Sequence, residues 1–248
     1  MILIRYLSYT GKYFLMLKEV FNKPTKWSVM RGLIIKEIDD LIIGSLGIVA
    51  FISFFVGGVV SIQTALNLKN PLIPREIIGF ATRESIILEF APTFISIVMA
   101  GKMGSFITSS IGTMRVTEQI DALEVMGVNS LNYLVFPKMI ALLLYPFIIG
   151  ISMFLGILGG WIAGVYGGFV TTSEFVAGIQ TNFIPYHITY AVIKTMVFAL
   201  FLSTIPSFHG YYMKGGALEV GKASTISFVW TSVVIILVNY ILTQLLLA

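Results

Sequence analysis

Long apolar runs that carry no charged residue alternate along this chain with short polar segments. A helix needs about 20 predominantly apolar residues to cross about 30 Å of hydrocarbon, so runs of that length predict membrane-spanning helices. We place five spans at about residues 41–66, 86–114, 139–168, 191–213 and 223–248. The second run contains Lys102, but the apolar pieces on either side of it are each too short to cross alone. The pattern predicts an all-α polytopic membrane protein.

Residues 1–40 are predicted to lie outside these spans. The three- and four-residue spacing of a helix joins Leu3, Leu7, Thr10, Phe14, Leu17 and Phe21. Most of the charged positions, which include Arg5, Lys12, Lys18 and Glu19, fall elsewhere around the helix. This pattern is typical of an amphipathic helix in the membrane interface, with packing in a cytosolic helical bundle as the alternative. Pro24 is predicted to end the helix, and Trp27 to anchor the chain before the first span.

A polar segment, residues 112–127, lies between the second and third predicted spans, and we call it the polar island. Its acidic residues recur at every third position and are Glu118, Asp121 and Glu124. On a helix this spacing forms one slowly drifting stripe. The opposite face is predicted to hold Ile120, Leu123 and Met126.

The ends of this short helix are also predicted from the sequence. Thr117 is the expected N-cap, with acidic residues in the first turn, and Gly127 is the expected stop. The polar island is therefore predicted to be a short amphipathic helix at the membrane surface. One face would contact the membrane domain, and the other a partner in the aqueous phase.

The distribution of basic residues predicts how the chain is oriented. Seven of the 16 lysines and arginines lie in residues 1–40, which favours a cytoplasmic N-terminus. The polar island and the loop 214–222 then also lie inside, and the C-terminus lies outside. The segment 171–187 has no lysine or arginine, as expected of an outer loop. The residues that run against this orientation are Lys69, Arg75 and Arg83.

Composition supports the membrane assignment and excludes several kinds of chemistry. The chain is 57% hydrophobic and only 11% charged, whereas soluble proteins are about 25% charged. Because cysteine is absent, thiol catalysis, disulfides and cysteine metal sites are excluded. The net charge of +4 is small and unevenly placed, so it concerns topology and does not indicate nucleic-acid binding.

No pattern of catalytic or metal-binding residues is found. The run Gly216–Ala223 is one residue short of a Walker A motif, and Ala223 replaces the hydroxyl that would hold magnesium. We interpret it as a glycine-rich bend between helices. His187 and His209 lie near opposite ends of the fourth span, so they cannot share a metal or a catalytic triad. We expect no catalytic residue, no metal, no bound cofactor and no enzymatic activity of the chain's own.

A few polar residues interrupt the apolar runs. A lysine at mid-span costs about 2.5–3.5 kcal/mol, so Lys102 either faces a cavity with an anionic headgroup, or snorkels or bonds a carbonyl. Lys194, near the outer end of span four, is expected to snorkel. Asn239 and Gln63 are expected to form hydrogen bonds between helices. Glu89 lies near the outer end of span two, and the other spans lack a central acid, which argues against a proton-coupled carrier.

Small residues also recur four positions apart. Helices in lipid approach closely where such residues meet, and packing within one chain is the expected use here. The positions are Gly156, Gly160, Gly164, Gly101 and Ser105.

Several motifs together resemble those of the MlaE/YrbE permeases. They are Glu89-Phe-Ala-Pro92, Ala100-Gly-Lys-Met-Gly104, the whole polar island, Tyr133-Leu-Val-Phe-Pro-Lys138, Val192-Ile-Lys-Thr-Met-Val-Phe-Ala199 and Gly215 to Thr225. The resemblance runs from about residue 40 to the C-terminus, and residues 41–248 are identified as the permease domain. The chain differs from the usual family pattern at Lys102, which is usually arginine, and at Asn239, which is usually aspartate.

The resemblance implies a membrane subunit of an ABC transporter that moves phospholipid between the two membranes of a diderm bacterium. It implies a homodimer in the inner membrane, a cytoplasmic ABC ATPase dimer that uses ATP and Mg, and a periplasmic MCE-domain protein. A STAS-domain protein is an optional further partner. A non-transporting scaffold that recruits an ATPase is the alternative, and a standalone carrier ranks third.

The resemblance also assigns roles to residues of this chain. It identifies the polar island as the coupling helix that contacts the ATPase. The candidate coupling residues are Arg115, Thr117, Glu118, Gln119, Asp121 and Glu124. The candidate contacts to the lipid headgroup are Glu89, Lys102, Gln63 and Asn239.

Overall fold

A computed structural model describes residues 2–22, 24–68 and 73–247 of the chain. Lys23 and Lys69, and the side chains of Leu3, Arg5 and Leu7, lie outside that description. Within it every regular element is helical. The α-helices are α1 (Ile2–Val20), α2 (Trp27–Glu37), α3 (Leu46–Asn67), α4 (Glu76–Ser85), α5 (Ile95–Met99), α6 (Ser105–Val116), α7 (Gln119–Val125), α8 (Ser130–Leu142), α9 (Tyr145–Tyr166), α10 (Thr172–Gln180), α11 (Tyr186–Tyr211) and α12 (Ala217–Leu247).

Five helical stretches in the described residues are long and apolar enough to cross a membrane. They are Trp27–Asn67, Glu76–Val116, Ser130–Tyr166, Tyr186–Tyr211 and Ala217–Leu247. The prediction of five spans in an all-α fold is thus confirmed. Most of the stretches begin well before the charge-free runs, because the helical backbone continues through charged residues at their ends.

Irregular helical geometry occurs inside the first two stretches. Wider π-helical turns occupy Ile38–Ile42, Ile86–Phe94 and Ala100–Gly104, and a short 3-10 turn occupies Ile43–Ser45. Turns of the π type inside α-helices occur frequently at functional sites. Two of these segments contain the candidate residues Glu89 and Lys102.

The chain divides into two compact units. Unit 1 comprises Met1–Gly44, Met99–Leu144 and Phe198–Leu237, and unit 2 comprises Ser45–Val98, Tyr145–Val197 and Val238–Ala248. Each unit gathers segments that are far apart in sequence, so neither can fold from one continuous stretch.

The core of unit 1 attaches α1 to α8 and α11. Its fully or nearly buried members are Met16, Val20, Leu131, Val135 and Phe208. Leu17, from the predicted apolar stripe, packs against this cluster. Phe14 and Phe21 of the same stripe are 63% and 62% exposed. The helix α1 therefore has one side packed on the protein, while Phe14 is exposed, and Phe21, just after the helix, meets the ring of Phe136 at 6.0 Å.

In unit 2, glycines let α3 and α9 approach until their backbones touch. A Cβ on Gly57 would overlap the backbone of Gly156, and a Cβ on Gly159 would overlap the carbonyl of Phe54. The hydroxyls of Ser53 and Ser152 share a hydrogen bond of 2.7 Å beside this contact. Close packing through small residues within one chain, which the spacing predicts, is confirmed here.

Arg83 is an internal group of unit 2, which corrects its treatment as an outer charge. Its side chain is 1% exposed and donates to the carbonyls of Ile179 and Thr181, the latter at 2.9 Å, and to Glu84. These carbonyls belong to the last turn of α10 and to its C-cap, Thr181, where backbone acceptors lack helical partners. Because Arg83 is paired inside the protein, it is not a loop charge of the kind that sets membrane orientation.

The other end of α10 is closed by a capping box. The backbone N–H of Thr171 donates to Glu174 at 2.8 Å, and the Thr171 hydroxyl accepts from the Glu174 N–H. The hydrogen bonds from the Thr171 backbone and hydroxyl lower the pKa of Glu174. The helix α10 is thus fixed at both ends.

The helix contact predicts a sharp difference between two glycines of α9. Gly159→Ala places a methyl group against the α3 backbone and should cost about 1–3 kcal/mol, as overpacking usually does. Gly150→Ala is the matched control, since nothing lies within 4 Å of its added Cβ. Thermal unfolding in detergent should show a lower midpoint for Gly159→Ala only. Equal midpoints would contradict the packing described.

Candidate functional site

The polar island forms a corner and a short helix, α7, after α6 ends at Val116. Thr117 is not the N-cap of α7, contrary to the prediction. Its hydroxyl donates back to the carbonyl of Thr113 at 2.9 Å, and Thr117 serves as the C-cap of α6. Glu118 precedes α7 with a left-handed backbone, φ 58°. A residue with a Cβ pays about 1–2 kcal/mol for that conformation, so the corner is held by its surroundings.

The predicted end of the helix at Gly127 is confirmed. Gly127 has φ 74°, its N–H bonds the carbonyl of Glu124 at 2.9 Å, and the N–H of Val128 bonds that of Leu123 at 3.0 Å. This pair of bonds is a Schellman motif, in which glycine adopts the left-handed conformation without a steric penalty.

The two faces of α7 differ from the prediction at one end. Ile120 is fully buried and Leu123 is partly buried, as expected of the face toward the protein. Met126 is 69% exposed, so its assignment to that face is wrong. The helix ends at Val125, which leaves Met126 outside the helical repeat. Val125 is itself 89% exposed.

The three acids of the polar island have different environments. Glu118 is exposed, and Asp121 forms a 2.8 Å ion pair with Arg115. Glu124 accepts hydrogen bonds from the hydroxyls of Ser130 at 2.9 Å and Tyr211 at 2.8 Å. Glu124 lies four residues after the buried Ile120, so the two share a side of the helix.

A polar notch lies beside the exposed side of α7. Its volume is about 370 Å³, and Arg115, Glu118, Asp121 and the loop 211–215 line it. Gln119 is exposed next to Glu118. Of the candidate coupling residues, Arg115, Glu118 and Asp121 therefore meet around one recess.

A second candidate site is a polar cluster inside unit 2, centred on Lys194. The side chain of Lys194 is completely buried, so the expectation that it snorkels is wrong. Its Nζ donates to Glu89 Oε1 at 3.0 Å, to the Leu88 carbonyl at 3.0 Å and to the Tyr190 hydroxyl at 2.9 Å. These acceptors satisfy all three N–H groups of the ammonium.

The backbone around Pro92 prepares one of these acceptors. Proline has no N–H, so the carbonyl of Leu88, four residues earlier, lacks its ordinary α-helical donor. Lys194 supplies a donor to that carbonyl. This interruption of the α-helical hydrogen bonds lies within the π-helical segment Ile86–Phe94.

The other carboxylate oxygen of Glu89 belongs to a second set of contacts. Asn239 Nδ2 donates to Glu89 Oε2 at 3.3 Å, and the Thr93 hydroxyl lies 2.9 Å from both Glu89 Oε2 and Asn239 Oδ1. The side chain of Glu89 remains 44% exposed. Two of the candidate headgroup contacts, Glu89 and Asn239, are thus brought together, with Asn239 bonding between helices as expected.

The other two candidates lie elsewhere. Lys102 is in unit 1, where its ammonium donates to the carbonyl of Gly44, as in the carbonyl-bonded interpretation. It is partly exposed. Gln63 is exposed on α3 and forms no side-chain hydrogen bond among residues 2–22, 24–68 and 73–247, so the bond between helices expected of it is not found.

One of the two histidines is paired, and the near-Walker run serves as a structural element. Its residues from Ala217 onward belong to α12, and Lys222 pairs with Glu219 at 2.6 Å. His187 lies 2.8 Å from Glu84. No group of three or more potential metal ligands occurs within the described part of the chain.

The asymmetric burial of the Lys194–Glu89 pair predicts an asymmetric response to mutation. Glu89→Leu leaves a buried ammonium without its counter-charge and should cost about 3–5 kcal/mol. Lys194→Met should cost less, because Glu89 is partly exposed and keeps Asn239 and Thr93. The double variant should recover much of the loss.

Thermal unfolding midpoints of the three variants in detergent test this order. Val229→Met, at a 50% exposed position of α12, controls for substitution in a span. A double variant less stable than Glu89→Leu would contradict the pairing.

Comparison with known proteins places the chain among transporters. A family model described as "Permease MlaE" matches residues 34–245. A "Probable ABC transporter permease protein" of Rickettsia bellii is 33% identical over 232 residues, which cover 91% of this chain and 89% of the relative. The "Intermembrane phospholipid transport system permease protein MlaE" of Haemophilus influenzae is 28% identical over 215 residues, with coverages of 86% and 82%. This chain therefore belongs to the MlaE permease family and is a multi-pass membrane permease.

Proposed function

We propose that this chain is the permease subunit of an ABC transporter that moves phospholipid between the inner membrane and a periplasmic MCE protein. A separate ATPase subunit supplies the energy. Family membership supports the permease role, and the name of the Haemophilus influenzae relative supports phospholipid as the substrate. The structural observation that carries the proposal is the exposed helix α7 between two spans.

The helix α7 has the properties of an element that receives force from a partner. The side of α7 that carries Ile120 is buried, and hydrogen bonds from Ser130 and Tyr211 to Glu124 fix that side to α8 and α11. On the free side, Glu118 and Asp121 present negative charge beside the polar notch. A partner that binds this side would displace a rigid piece of unit 1. We assign the ATPase to this surface, with Arg115, Thr117 and Gln119 at its edges.

The exposed end of α7 adds an apolar contact. Val125 and Met126 are adjacent and are 89% and 69% exposed. An interface with a small apolar centre and a charged rim is the usual arrangement in protein complexes. The ATPase groove is therefore expected to be basic at the rim and apolar where it meets Val125.

The Lys194 cluster is the proposed place of contact with a lipid headgroup. Glu89 is the exposed member of the cluster, and it is held in position from behind by Lys194 and Asn239. A polar group within a membrane span is costly unless it has a partner, so a preorganised polar surface there indicates a functional role. Lys102 and Gln63 remain further candidates for headgroup contact.

The same proposal includes the orientation and the partners. The N-terminus and α7 lie in the cytoplasm, and the C-terminus lies in the periplasm. The exposed side of α1, with Phe14 and Leu15, lies in the inner-leaflet interface. Two copies of the chain form a homodimer with an ABC ATPase dimer, which uses ATP and Mg, and an MCE-domain protein. A STAS-domain protein is an optional addition.

Reversal of the exposed charges on α7 tests the coupling role. Glu118→Lys combined with Asp121→Lys should weaken ATPase binding by about tenfold or more, since like charges facing each other cost several kcal/mol. ATP-driven lipid transfer by the reconstituted complex should fall in parallel. Glu76→Lys, an exposed acid on α4, is the matched control and should have no effect. Unchanged binding and transfer in the α7 variant would remove the assigned role.

Analysis of the lipid that copurifies with the complex distinguishes a transporter from a non-transporting scaffold. We expect mass spectrometry to detect phospholipid bound to the wild-type complex. The double variant Glu89→Leu/Lys194→Met should retain less phospholipid, because it loses the polar contacts while its fold survives. A scaffold has no reason to hold lipid, so absence of lipid in wild type and variant would favour the scaffold. Transfer without any ATPase would indicate a standalone carrier.

A further inference from the structure

Unit 1 contains a cleft that is separate from both sites described above. It has a volume of about 650 Å³, within the range of about 300–1,000 Å³ that small-molecule sites occupy. Three helices form it. The helix α1 contributes Tyr9, Thr10 and Tyr13, α11 contributes Phe201, Ile205, Phe208 and His209, and α12 contributes Ile226, Trp230 and Val234.

The wall formed by α1 is fixed before any ligand binds. The rings of Tyr9 and Tyr13 meet the ring of Phe208 edge to face, with centroids 5.3 and 5.7 Å away. The Tyr13 hydroxyl shares a 2.6 Å hydrogen bond with Thr204. Met16, one turn further along α1, is fully buried in the core of unit 1. The cleft is therefore a preformed space between packed helices.

His209 supplies a polar group to this largely apolar cleft. Its side chain is half-buried, and its imidazole has no hydrogen-bond partner among residues 2–22, 24–68 and 73–247. A polar group removed from water is destabilising unless it is paired. An imidazole at the edge of an apolar space suits a ligand with an apolar body and one hydrogen-bonding end.

The surroundings of the cleft identify that ligand as a lipid. The helices α11 and α12 are both candidate membrane spans, so a ligand that enters between them from the bilayer has an apolar body. On α12, Ile226 and Trp230 are 48% and 46% exposed and continue the cleft into an apolar surface. On α1, the exposed Lys12 lies three residues after Tyr9, which places positive charge beside the same wall.

We propose that this cleft binds one anionic phospholipid of the membrane. An acyl chain lies between α11 and α12 against Trp230, and the phosphate lies at the rim that His209 and α1 form. The proposal does not depend on phospholipid transport, because a resident lipid of this kind would serve any function of the fold.

Photo-crosslinking of the full-length chain in lipid nanodiscs tests the site. The probe is phosphatidylglycerol with a diazirine in the acyl chain, and peptide mass spectrometry locates the label. We expect labelling concentrated in residues 201–209 and 226–234. Val234→Trp fills the cleft and should remove most of this labelling. Val233→Trp, at the adjacent position that does not line the cleft, is the matched control and should leave it unchanged.

A second variant decides the outcome if Val234→Trp does not fold. His209→Phe keeps the ring and removes its nitrogens. The wild type should bind phosphatidylglycerol about tenfold more tightly than the matching diacylglycerol, because one hydrogen bond to a charged group contributes about that much affinity. The His209→Phe variant should lose this preference.

Three results would overturn the proposal. One is labelling spread evenly over the exposed surfaces of α11 and α12 in the wild type. Another is equal labelling of Val234→Trp and Val233→Trp when both are folded. The third is a cross-link from Trp230→Cys to a second copy of the chain, which would show that protein occupies the cleft.

Discussion

The ammonium of Lys194 is completely buried and cannot be solvated by water, and the local structure of unit 2 is arranged around that constraint. Three acceptors surround the ammonium, and one of them is a backbone carbonyl that Pro92 deprives of its helical donor. Arg83 follows the same rule near α10, where it donates to several carbonyls. Lys194 and Arg83 are tolerated inside the protein because each has hydrogen-bond partners there.

The membrane helices could be predicted from sequence because hydrocarbon thickness imposes a minimum apolar length. The same holds for Gly127, where a left-handed residue must end α7, and for glycines spaced to let α3 and α9 touch. These features depend on local sequence or on one simple periodicity. They are therefore visible without knowledge of which helices are neighbours.

The candidate sites were predicted less well because their geometry depends on contacts between distant segments. Lys194 looks like a residue that can reach the membrane surface, and only the position of Glu89 on another helix makes it internal. The acidic stripe of the polar island was expected to face outward as a whole. A drift of about 60° at each three-residue step brings Glu124 round to the side of Ile120, where Tyr211 and Ser130 bind it.

The contacts of Glu124 make this one carboxylate a link between helices. Ser130 begins α8 and Tyr211 ends α11, so two spans far apart in sequence are tied to the same side chain. A partner that pushes α7 sideways would move both helix ends at once and in register. If α7 receives the ATPase as proposed, Glu124 is a branch point, through which a single displacement of this helix is divided between two spans.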